Sequence, residues 1–242
     1  MDKSGSENLD SVWKPLYKVG GIAPLVALAF YLIQVLAMLS GEPYPATAEA
    51  WFSLFQRNKV LGLLYLNALD ILSIAFLGTM FLALYIALRR RHESGMAIAA
   101  FFAFLGVAVF VVPRVATLAV LPLSDQYAAA ATEAQRSQLL AAAQALGSLA
   151  QATPQTAGFF FLTVAVLIIS AVMLRAAAFG KAAAYAGLLA GLLTLADDAC
   201  LVLAPSAAAV LMPISGAIWL IWWLLVSQGL FQLGRSEKGR TK

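Results

Sequence analysis

The sequence predicts an all-α fold: a polytopic, six-helix transmembrane bundle with both termini in the cytoplasm. Three observations carry this. The chain is 62% hydrophobic and only 12% charged, with a mean hydropathy of +0.85, where soluble domains run near half apolar and about a quarter charged. Its apolar residues fall into six long runs. Its basic residues gather at alternate ends of those runs.

The elements follow in order. Residues 1–18, MDKSGSENLDSVWKPLYK, are polar, with neither the apolar core nor the small-residue cleavage site of a signal peptide. They are expected to form a cytoplasmic tail ahead of a single membrane domain over 19–234, and 235–242 a second cytoplasmic tail. A bilayer core of about 30 Å needs roughly 20 apolar residues in a helix. Such runs occupy 19–40, 60–88, 95–122, 155–176, 182–204 and 207–233. They are rich in Leu and Ala and lack period-two alternation, which excludes barrel strands. Thr153 and Pro154 read as an N-cap followed by proline at the first helical position. Gly180 and Pro205 bracket the fifth run.

Two connecting segments carry structure of their own. In Thr47–Lys59, TAEAWFSLFQRNK, the rings of Trp51, Phe52 and Phe55 stand among polar residues, which predicts a short helix lying in the membrane interface over 47–59. The Ala-rich segment over 124–153 is predicted helical. Leu139, Leu140, Ala143, Leu146 and Ala150 form an apolar stripe along it, and Glu133 and Arg136 are spaced to pair. It is either an outer lid or an extension of spans three and four.

Direction comes from charge. Lys3, Lys14, Lys18, Arg89, Arg90, Arg91, Arg175, Lys181, Arg235, Lys238, Arg240 and Lys242 fall on one side, and Arg57, Lys59 and Arg136 on the other. Twelve against three places both termini in the cytoplasm by the positive-inside rule. It also explains the net charge of +4 without nucleic acid. His92 extends the Arg89–Arg91 cluster and reads as part of it. The expected setting is the bacterial inner membrane, with the bilayer as the first partner. One cysteine, Cys200, and one histidine leave no internal disulfide and no multi-histidine metal site. No cofactor is indicated.

The runs LSDQYAAAATEAQRSQLLAAAQAL, GLLYLNALDILSIAFLGTMFLALYIALRR and WLLVSQGLFQLGR resemble a large bacterial and archaeal family of six-span membrane proteins, catalogued only as a domain of unknown function. The likeness covers nearly the whole chain beyond the N-terminal tail. It implies six helices and brings no established activity. Many members carry an acidic residue shortly before the position of Trp223, whereas this chain reads PISGAIWLIWW there, so no role for that acid carries over.

The candidate site lies in charges inside the runs. Asp70, Arg114, Asp197 and Asp198 would each cost about 2.5–3.5 kcal/mol at a span centre if they faced lipid as ions. Helix rise puts Asp70 about 15 Å, Arg114 about 12 Å and Asp198 about 9 Å from the outer ends of their spans. The expectation is a polar site in the outer half of the bundle, with an Asp198–Arg114 ion pair and Asp70 nearby. Asn67 shares the Asp70 face. Asp198 follows Gly187, Gly191 and Thr194 on a face of small residues that favours close helix approach, and Gly187 and Gly191 are candidates for self-association or contact with another membrane subunit. Asp197, about 100° around the helix, points to a second cleft or the interface. Pro113 frees the carbonyl of Val109 beside Arg114. Trp219, Trp222 and Trp223 read as packing or belt residues.

Together the three acids and one base sum to −2, which suits a cation or shared protons. This motivates a small-ligand, cation or proton-linked binding or transport protein. The first alternative is an accessory or structural subunit in which the charges only fix helix register. The second is an intramembrane hydrolase using two aspartates, although the spans hold no Ser-His or Cys-His pair.

Overall fold

A computed structural model describes residues 12–39, 41–152, 154–176 and 178–235. Among the described residues ten helices follow one another: α1 (Lys14–Met38), α2 (Ala48–Arg57), α3 (Lys59–Tyr65), α4 (Leu69–Leu88), α5 (Glu93–Thr117), α6 (Val120–Ala129), α7 (Glu133–Ala152), α8 (Pro154–Met173), α9 (Lys181–Leu203) and α10 (Pro205–Arg235). No strand occurs among the described residues. Among the described residues five helices are long and apolar enough to cross a membrane: α1, α4, α5 continued by α6, α9 and α10. Within α8, Ala157–Met173 is a shorter apolar helix. Most residues of the two expected tails (1–11 and 236–242) and Thr153 lie outside the described residues.

The six main helices pack in the order α1, α4, α5, α8, α9, α10, and α10 returns to α1 to close the ring. Small residues set the crossings. A Cβ on Gly106 of α5 would meet the carbonyl oxygen of Gly158 at 2.9 Å, so α5 and α8 approach backbone to backbone there. The ring closes where Ser227 Oγ donates to the carbonyl of Gly21 at 2.6 Å. One apolar core runs through the bundle, with Met80, Leu84, Leu88, Met96, Val166, Ile169, Trp222 and Leu230 fully or almost fully buried.

The two ends of the ring differ. One carries Lys14, Lys18, Arg89, Arg90, Arg91, Arg175, Lys181 and Arg235. His92 belongs to this end and also caps α5, its Nδ1 accepting from the Gly95 amide at 3.0 Å. At the other end α2, α3, α6 and α7 gather into a cap. The cap has its own apolar core of Phe52, Phe55, Val120 and Ala143, lined by Trp51, Tyr127, Leu139, Leu140 and Leu146. The segment 47–59 is helical over Ala48–Arg57, and its Phe52 and Phe55 are buried in this core. Ser124, fully buried, ties the cap by donating to the Phe52 carbonyl at 3.2 Å. Gln56 in turn donates to the Ser124 carbonyl at 3.1 Å. The outer segment over 124–153 is helical as expected, but it breaks at Ala130–Thr132 into α6 and α7. Its stripe residues Leu139, Leu140 and Leu146 serve the cap core. Arg136 lies over the Tyr127 ring, with its Cζ 6 Å (5.9 Å) from the centroid, and Glu133 does not pair with it.

The second apolar run is not one helix over 60–88. It stops at Tyr65 and restarts at Leu69. Asn67 sits between with φ 54°, in the left-handed region. The Ala68 amide donates back to the Leu63 carbonyl and the Asn67 amide to the Leu64 carbonyl, each at 3.0 Å. This is the Schellman closure, in which asparagine is one of the few side chains tolerated at the left-handed position.

Candidate functional site

The helix break delivers Asp70 to the first turn of α4, where a carboxylate complements the helix N-terminus. There it meets Arg114, near the last turn of α5. The guanidinium Nη2 lies 3.3 Å from Asp70 Oδ2. The other carboxylate oxygen, Oδ1, accepts from Gln34 Nε2 of α1 at 2.9 Å. Three helices are thus joined by one polar chain, Gln34–Asp70–Arg114. Beneath the guanidinium lies the Phe110 ring, 5.2 Å from Cζ to centroid, a stacking that holds its plane.

The chain is buried but not sealed. Gln34 is 3% exposed, while the side chains of Arg114 and Asp70 keep 11% and 23% of their surface. Gln34 Oε1 and Ser73 Oγ are buried with no hydrogen-bond partner. Above the pair, the α1–α2 connection brings down Tyr44. Its ring stacks on Tyr65 at 5.7 Å and meets Trp51 edge-on at 5.4 Å. Burial pushes the Tyr44 phenol above its usual range, and the nearby Arg114 guanidinium pulls it back down. Tyr65 anchors the connection by donating to the Glu42 carbonyl at 2.8 Å.

The expected Asp198–Arg114 pair does not form. Arg114 takes Asp70, and Asp198 sits on α9, which packs on α8 and α10 rather than on α4 or α5. Asp198 Oδ2 is buried without a hydrogen-bond partner, and neither Asp197 nor Asp198 forms an ion pair. Similar depth along the spans does not tell which helices touch. Asn67 is near the pair through its backbone conformation: the Asp70 amide donates to its carbonyl at 3.0 Å.

The small face preceding Asp198 is used inside the chain. A Cβ on Gly187 would collide with Ser170 Oγ and come within 2.6 Å of Trp222 Nε1, and one on Gly191 would come within 2.6 Å of Leu167 Cδ2. Trp222 is fully buried, and Trp219 Nε1 donates to Thr194 Oγ1 at 2.8 Å, so both tryptophans serve α9–α10 packing. No group of three or more potential metal ligands occurs among the described residues. Gln34, Tyr44 and Ser73 were not singled out in the sequence, although a lone glutamine in YLIQVLAM was a usable signal.

A ring of apolar helices with a polar chain in its capped half defines a multi-pass helical membrane protein. The family model described as Domain of unknown function (DUF4386) matches residues 19–227, and the chain belongs to that family. Comparison with curated proteins and with solved structures finds no match.

Proposed function

We propose that this protein binds a small polar ligand at the Gln34–Asp70–Arg114 chain, in the half of the membrane bundle beneath the cap. In this reading all six main helices span the cytoplasmic membrane and both termini are cytoplasmic. The observation that carries it is a partly exposed ion pair held beside two buried polar atoms without partners, at a break in a membrane helix. Irregular backbone at membrane depth is tolerated where it lines a cavity or is buried in protein, and transporters place their sites at such breaks. The charge balance shifts from the expected −2 to zero, because Asp197 and Asp198 stand apart. That removes the motive for a simple cation.

One observation favours a second reading, a non-catalytic subunit. Asp70 is directly bonded to both Arg114 and Gln34, as a clamp that only fixes three helices would require. The hydrolytic alternative gains nothing, since Asp70 and Asp198 do not meet. Water access separates the first two. In a Cys200→Ser background, Ser137→Cys on α7 should react with an impermeant thiol reagent in intact cells, which reports the topology. Asp70→Cys should then react as well, more slowly. A labelled Ser137→Cys beside an inert Asp70→Cys means a dry clamp.

A further inference from the structure

We infer that the ligand of this site is zwitterionic: a small solute or a lipid headgroup carrying an amine cation and an anionic group together. The inference rests on the proposed binding role and adds the chemical class. Its ground is charge balance. Asp70 and Arg114 contribute one charge each, and Gln34, which holds the other oxygen of Asp70, is uncharged. A singly charged ligand that engages one partner strands the other in a low-dielectric setting, the most costly way to disturb a buried pair. A ligand with both charges replaces each half of the pair, its anion on the guanidinium and its amine on the carboxylate, and leaves the site neutral.

The neighbours suit both halves. Gln34 is almost wholly buried, and its Oε1 has no partner. It lies on the same amide whose Nε2 holds Asp70 Oδ1, so it is placed to accept from an amine N–H that reaches Asp70. In the α1–α2 connection Tyr44 forms an aromatic cluster with Tyr65 and Trp51, the kind of surface that attracts an ammonium or its methylated form. On the other side Phe110 lies under the guanidinium, whose planar fork is the geometry in which arginine binds carboxylate or phosphate through two parallel bonds.

The test is thermal stability of the purified full-length protein in lipid-free detergent, titrated with glycine betaine and phosphoethanolamine, and with choline and acetate as single-charge probes. The expected result is saturable stabilisation by a zwitterion, with half-saturation at least tenfold lower than for choline or acetate. Gln34→Leu, which keeps both charges, should weaken the response to phosphoethanolamine, whose ammonium carries N–H donors, at least tenfold, so the test does not depend on variants of the pair that fail to fold. A second arm uses nanodiscs of phosphatidylethanolamine against phosphatidylglycerol. Stabilisation confined to the phosphatidylethanolamine discs assigns the zwitterion to a lipid headgroup, and stabilisation by the soluble probes assigns it to a free solute. If choline or acetate alone stabilises as well as the zwitterions, the zwitterionic assignment falls and the binding role stands. If no probe and neither lipid changes stability, both fall and the clamp remains.

Discussion

Arg114 is held on three sides at once: by Asp70 at 3.3 Å, by the Phe110 ring under its plane, and by the Thr117 hydroxyl, which donates to its backbone carbonyl at 2.8 Å. Asp70 keeps Gln34 when Arg114 is lost, but then carries an uncompensated charge. Arg114→Ala is therefore expected to destabilise by about 2 kcal/mol, below the 3–5 kcal/mol of a fully buried pair because part of Asp70 is exposed. Adding Asp70→Asn should recover much of that loss, since no charge is then stranded. Arg114→Ala with Asp198→Asn should show no such recovery. Melting in detergent of the single and double variants checks this, and equal rescue by Asp198→Asn would reassign the partner. At this scale the sequence was half legible. The need of Arg114 for an acid follows from the cost of a lone membrane charge, but three acids lay at similar depth. Only helix order decides among them, and depth alone carries no helix order.

Helix α4 owes its position to the break before it. The run GLLYLNALDILS has no proline or glycine at the break, so hydropathy reads straight through it. The one cue is Asn67, which tolerates the left-handed conformation better than any branched or bulky residue. The φ of 54° makes the expected substitution pattern specific. Asn67→Gly should be tolerated. Asn67→Val should cost about 1–2 kcal/mol from left-handed strain alone and should lower the melting temperature with the ion pair intact. Equal melting temperatures for the two variants would mean that α3 and α4 can run together as one helix. The cap helices were legible as helices, from Thr47 and the aromatic rings onward, but not as partners of one another. Phe52 and Phe55 look the same in a sequence whether they meet lipid or Val120 and Ala143. The apolar runs themselves, long and compositionally uniform, were legible almost to their ends.

For the whole molecule, order along the chain and order around the ring coincide. Each main helix packs on its neighbour in sequence, and α10 against α1 closes the ring over a long separation. Chain threading through alternate ends is thus enough to specify most of the ring, and the Gly21–Ser227 contact seals it. The cap stands outside this scheme. Its apolar core shares no buried residue with that of the ring, and three of its links are the short non-helical stretches at 41–47, 66–68 and 118–119. Two separate cores predict two cooperative units. Amides of α2, α6 and α7 should exchange with deuterium together, at a lower opening free energy than those of α4 and α8, and mass-resolved exchange in detergent measures this. A single protection level across both groups would show one unit instead. If the units separate, the cap can melt and re-form while the ring stays folded, and the ion pair at Asp70 and Arg114 lies on the seam between a part of the protein that persists and a part that comes and goes.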